Sequence, residues 1–141
     1  MKGIEIFYPV AVMVVLVGVV MALMLRERIA EMTARRIHPS KVASSSQMGA
    51  VLQNTRGADN FRNLFEMPVL FYVLCVALYA TQQVTPLLVA GAWIYVALRC
   101  VHSFIHVGYN NVMHRFGVFA ASSMLLVALW VVFIAQITLR G

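Results

Sequence analysis

Apolar residues fall in four long blocks separated by shorter polar stretches. Ile6 to Leu25 runs without a charge. A second block, about Asn60 to Thr81, is polar at its start, and a third, Pro86 to about Val107, is polar at its end. Phe116 to Leu139 is a clean fourth. A hydrocarbon core of about 30 Å takes about 20 residues of helix, and each block is long enough. The pattern predicts an all-α, integral membrane four-helix bundle forming a single membrane domain over residues 1–141. A cleavable secretory signal is not expected, because the first block lacks a small-residue cleavage site and a charged loop follows directly.

The connections set the orientation. Arg26 to Gly57 is the one long loop and carries Arg26, Arg28, Arg35, Arg36, Lys41 and Arg56, with a Ser44-Ser45-Ser46 run inside it. The turn Thr81 to Thr85 has no charge. The third connection, near Gly108 to His114, leads into Arg115. Basic residues collect in cytoplasmic loops, which places the first and third connections inside and both termini outside, with Lys2 and Arg140 as a minor counterweight. The composition agrees: 62% of residues are apolar and 11% charged, against about 25% charged in soluble domains. The net charge of +6 then reflects topology and contact with membrane lipids. Nothing supports a nucleic-acid partner. Cys75 and Cys100, both in apolar helix, read as small packing residues.

Two polar groups interrupt the apolar blocks. Asp59, Arg62, Asn63 and Glu66 lead into the second, and the spacing of the last three places them on one helical face. Arg99, His102 and His106, at i, i+3 and i+7, share a face of the third. The hairpin between these spans turns near Gln83, with Glu66 17 residues before it and Arg99 16 after it. At about 1.5 Å per residue the two reach nearly one depth, which makes Glu66–Arg99 a candidate buried ion pair. Arg62 falls near the depth of His102 by the same count. Pro68 can kink the second span or loosen its first turn.

Charged groups inside a membrane are costly and usually face protein or water. One reading is a buried network that fixes hairpin packing. Yet one ion pair would suffice for register, and Arg26, Arg62, Arg99 and Arg115 outnumber Glu66 and Asp59. That surplus points to an anionic ligand, since a guanidinium binds carboxylates bidentately. His102 and His106, four apart, can present two imidazoles to one metal, but the surrounding cations repel a metal. A haem with both as opposed axial ligands is excluded, because they project from one side of one helix. A proton-coupled exporter using Glu66 would need a raised carboxyl pKa, which flanking arginines oppose.

Arg62-Asn63 followed by Glu66, then Arg99, His102 and Arg115, resembles the MAPEG family, the membrane-associated proteins of eicosanoid and glutathione metabolism. The similarity is densest from Asp59 to Pro68 and from Arg99 to Phe119, the latter stretch being similar to uncharacterised bacterial members. The resemblance implies a homotrimer in a bacterial inner membrane, with glutathione between neighbouring subunits as thiol co-substrate. It implies that Arg62, Asn63 and Glu66 hold the tripeptide's charged ends and amides, and that Arg26 adds a contact from an adjacent helix. His102 matches a family histidine near the ligand, and Arg99, His106 and Tyr109 join it as candidate binding residues. Arg115 matches the arginine that stabilises the thiolate and is the candidate catalytic residue.

The chain departs from the family's prostaglandin-forming member in places. His106 stands where that member has a tyrosine, with Tyr109 three further on, Phe116 replaces a serine and Phe119 another tyrosine. Asp59 replaces a basic residue. The expected function is a glutathione-dependent transferase or peroxidase acting on a hydrophobic small-molecule electrophile. The alternative is a non-catalytic member that binds a lipid or other amphiphile.

Overall fold

The computed structural model describes residues 3–140, with the side chain of Arg140 left out. Met1, Lys2 and Gly141 lie outside the described residues, as do the Lys2 and Arg140 charges counted at the two termini. The described chain is helical, and four helical stretches are long and apolar enough to cross a membrane. A short 3-10 turn, Ile4–Ile6, runs into α1, Phe7–Ala34. The long loop folds into a 3-10 turn, Pro39–Val42, and the short helix α2, Ser45–Val51. Then come α3 (Arg56–Asn63), α4 (Met67–Ala80), α5 (Pro86–Val107) and α6 (Val112–Arg140). Val14, Val15, Val127 and Val131 are all more than half exposed. Such a surface belongs against lipid, so this is an integral membrane protein. At 28 residues α1 is about 42 Å long, more than the core needs. Its charged last turns, from Arg26, therefore project beyond the apolar layer.

The second span is two helices. Pro68 has no N–H for the carbonyl four residues back, Leu64, and its ring crowds that carbonyl. The helix accordingly breaks upstream of the proline. Phe65 N–H closes a tight turn onto the Arg62 carbonyl at 2.9 Å, and Glu66 leaves helical geometry at ψ −101°. Arg62 and Asn63 thus end α3, whereas Glu66 precedes α4. The three do not share one continuous helical face.

The interior is built around α5, half of whose most apolar window is buried, against 22% for α1 and α6. Phe71 and Leu74 of α4, Leu88, Ala92 and Val96 of α5, and Leu126 and Phe133 of α6 pack with Met13 and Val20 of α1. The Phe71 and Tyr95 rings stack at 4.6 Å. In lipid, helices associate through close packing and polar contacts rather than through escape from water. Both are visible. Gly91 lets Leu129 of α6 lie on the α5 backbone, and the Trp130 indole N–H donates to the Leu70 carbonyl at 3.3 Å.

Two α1 carboxylates tie down the chain returning from the loop. Glu27 accepts from the Gly57 amide at 2.9 Å. Glu31 accepts from the amides of Gln53 (2.7 Å) and Asn54 (3.0 Å) and from Arg35 (2.7 Å). Ser44 and Gln47 cap α2 reciprocally. At the α1–α3 crossing a Cβ on Gly57 would lie 2.9 Å from the Met24 Cα and 2.6 Å from the Glu27 carboxylate. Backbone cannot step aside as a side chain can, so Gly57→Ala is expected to cost about 1–3 kcal/mol. A lower thermal midpoint in detergent is the readout, and an unchanged midpoint would show that the crossing is not tight.

Candidate functional site

Because α5 is central, the polar residues on its inner face are buried although they sit in the chain's most polar span. Tyr95, Arg99, His102 and His106 repeat at helical spacing, with Arg99 fully buried and His102 and His106 at 2% and 3% exposure. Arg99 Nη2 donates to the Asn63 carbonyl at 3.2 Å, one of the acceptors freed where α3 ends. Its Nε and Nη1 have no partner, nor do the two ring nitrogens of His102 or the Tyr95 hydroxyl. The Arg99 guanidinium carbon stands 6.0 Å from the Phe119 ring centre, and His102 is 6.0 Å from the same ring. One turn along, the Ser103 hydroxyl donates to Asn60 Oδ1 at 3.2 Å.

The hairpin faces meet near the depth that counting gives, but the Glu66–Arg99 ion pair does not form. Glu66 is exposed, and among the described residues the one ion pair is Arg35–Glu31 at 2.7 Å. The cause is the break upstream of Pro68, which removes Glu66 from the helical face carrying Asn63. A backbone carbonyl reaches the arginine instead. An arginine stays charged, so Arg99 is a buried cation with no carboxylate in contact, eased only at a distance by the field of Glu66, a costly state.

Just past the end of α5, α6 returns Arg115 to the same cluster. Its Nη1 donates to Asn110 Oδ1 at 2.9 Å and faces His106 Nε2 at 3.4 Å. The His106 and His102 rings are 5.8 Å apart. Arg99, His102, His106 and Arg115 therefore form one buried-to-half-buried file between α5 and α6, two arginine cations with two imidazoles between them. Tyr109 is not part of it. It is exposed, with its hydroxyl 3.1 Å from His114 Nδ1.

Arg62 and Glu66 instead line an outward-facing groove of about 570 Å³ with Arg28, Asp59, Met24 and Phe61. Arg26 lines a different groove beside Glu27, Glu31 and Asn54. Asn63 bridges the two regions, half-buried, with its carbonyl on Arg99. The chain therefore assembles Arg99, His102, His106 and Arg115, while Arg26, Arg62 and Glu66 line outer grooves, Glu66 reaching Arg99 through its field and not by contact. Among the described residues no three His, Cys, Asp or Glu side chains are grouped as a metal site would need. The polar atoms that could hold a charged ligand are the free Arg99 and His102 nitrogens and the Arg115 fork, and that donor set suits an anion.

Three members of this region escaped the sequence reading. Tyr95 lies four residues before Arg99 on the same face, a spacing that does signal it. Asn60, fully buried, lies three before Asn63, a weaker signal. Asn110 sits in a turn where nothing in the sequence singles out its side chain.

No curated protein and no solved structure matches this chain. The MAPEG family model matches residues 6–135, which takes in the second and third apolar spans, most of the first and fourth, the break before Pro68 and the file from Arg99 to Arg115. The chain belongs to the MAPEG family.

Proposed function

We propose that the chain is a glutathione-dependent membrane transferase or peroxidase acting on hydrophobic electrophiles. The observation that carries this reading is a file with two arginines and no carboxylate in contact with either. Arg99 is buried on a single carbonyl and Arg115 rests on neutral acceptors. Neither has a carboxylate partner among the described residues. Such a file favours an anionic ligand, and the family is one of glutathione and eicosanoid metabolism. Arg62, Asn63 and Glu66 would hold the tripeptide's ends and amides, with Arg26 adding a contact. Arg99, His102, His106 and Tyr109 would complete the binding surface. Arg115 would favour the thiolate of a thiol whose ordinary pKa is about 8.5, giving the nucleophilic form. A lipid-soluble electrophile would arrive from the bilayer past Met113 and Phe116, which are 74% and 65% exposed.

A homotrimer with the thiol between neighbouring subunits would join what one protomer keeps apart. Arg62 and Glu66 lie exposed at the polar end of a membrane span, a face that a neighbouring subunit would cover. The basic loop and the α5–α6 turn would face the cytoplasm of a bacterial cell and both termini the outside, following the loop charges.

Glutathione is expected to raise the thermal midpoint in detergent, by the equivalent of about 2.7 kcal/mol at 100 times its dissociation constant. The protein should then conjugate a test aryl halide. In that reaction a C–S bond forms, halide leaves and the thiol proton passes to water. Stabilisation without turnover would favour the non-catalytic, amphiphile-binding reading. An unmoved midpoint at saturating thiol would remove glutathione from both.

A further inference from the structure

The α5–α6 turn does more than reverse the chain. Asn110 adopts a left-handed backbone, φ +49°, a conformation that Asn and Gly tolerate and most residues do not. Its amide N–H donates to the Ile105 carbonyl at 2.8 Å, which closes α5. With the backbone fixed, Oδ1 accepts from Arg115 Nη1 at 2.9 Å, while His106 Nε2 faces the same nitrogen at 3.4 Å. The neighbouring Asn111 has a different task. Its Oδ1 accepts from the amides of Met113 and His114 and caps α6.

A long arginine side chain loses much rotamer freedom when it is fixed. Carboxylates usually hold such a group, but a carboxylate would also neutralise it. Here both acceptors are neutral, an amide oxygen and an imidazole nitrogen. We propose that Asn110 is the positioning residue for Arg115, fixing the guanidinium while leaving its full charge available to a thiolate. The inference rests on the reading of Arg115 as the thiol-activating group.

Two substitutions separate this role from a purely structural one. Asn110→Gly and Asn110→Asp both suit a left-handed turn, so a turn-forming role alone predicts little change in either. The first readout contains no thiol: phenylglyoxal modification of Arg115, followed by mass spectrometry. Asn110→Gly should speed it about three- to tenfold, as loss of one hydrogen bond of ordinary net strength would. Asn110→Asp, which keeps an acceptor, should leave it unchanged or slower. The second readout is the ultraviolet absorbance of glutathione thiolate on the protein as a function of pH. Both variants should raise the thiolate transition by about one pH unit, leaving about tenfold less thiolate on its acid side, Gly by releasing the guanidinium and Asp by neutralising it. Binding of the tripeptide should change much less.

Wild-type labelling rates in Asn110→Gly overturn the proposal, as does a wild-type thiolate profile in both variants. If the wild-type protein itself shows no thiolate signal, the thiol-activating reading of Arg115 fails. The thiol-free labelling arm still decides by itself whether Asn110 holds the guanidinium.

Discussion

Replacing Arg115 by glutamine is expected to lower the rate of glutathione conjugation by about 10²–10³-fold, the cost of removing one preorganised donor at a developing or stored negative charge. The loss should fall mainly on turnover, because Arg62, Glu66 and Arg26, proposed to hold the ends of the tripeptide, line grooves that do not include Arg115. The pH profile supplies an independent check. A cation beside the thiol lowers its pKa, so the thiolate persists at pH values below about 8.5. Without that cation the rate should climb as pH rises through the ordinary thiol range, whereas the wild-type rate should already be level there. Arg115→Lys restores a charge but not the planar fork that meets Asn110 and faces His106, and recovery should be partial. A fall smaller than about threefold with an unshifted pH profile would take Arg115 out of thiol activation.

The spans were legible because lipid imposes a coarse rule: long apolar stretches must be helical. The face shared by Arg99, His102 and His106 was legible for the same reason, since α5 is unbroken and spacing maps directly onto direction. The second span shows where that reasoning ends. Pro68 signalled a defect, but a proline acts on the carbonyl four residues back, so the helix fails at Leu64–Glu66. The spacing that joined Asn63 to Glu66 therefore lost its meaning. The carboxylate turned outward, and a backbone carbonyl, which leaves no trace in sequence, reached Arg99. The same blindness covers Glu27 and Glu31, whose partners are loop amides. It also covers Asn110, since two adjacent asparagines look alike until the backbone shows which is left-handed. The outward grooves carrying Arg26, Arg62 and Glu66 depend on which faces α1 and α3 bury, and their charged ends offer no periodic signal to decide it.

Arg99→Met is expected to move stability and ligand binding in opposite directions. The guanidinium is fully buried with one carbonyl partner, two nitrogens unpartnered and no ion pair. Replacing a whole buried ion pair by apolar side chains of similar volume is often neutral or stabilising by about 1–4 kcal/mol, and a buried charge with no contact partner has less attraction to lose. Methionine is unbranched and flexible enough to fill the space of the arginine stem. Against this stands the Asn63 carbonyl, which would lose its partner at a cost of about 1–3 kcal/mol. Desolvation of a whole charge is the larger quantity, so the thiol-free protein in detergent should unfold at an unchanged or higher temperature. Glutathione should then stabilise the variant far less than the wild type, because the buried charge that draws an anion has gone. Such a pairing of gain and loss would mark Arg99 as a group retained for binding rather than for packing. A loss of more than about 3 kcal/mol in the thiol-free protein would mean the opposite. It would show that the arginine has an effective counter-charge, with Glu66, whose field reaches it, the first carboxylate to examine, and Glu66→Gln should then cost as much as Arg99→Met.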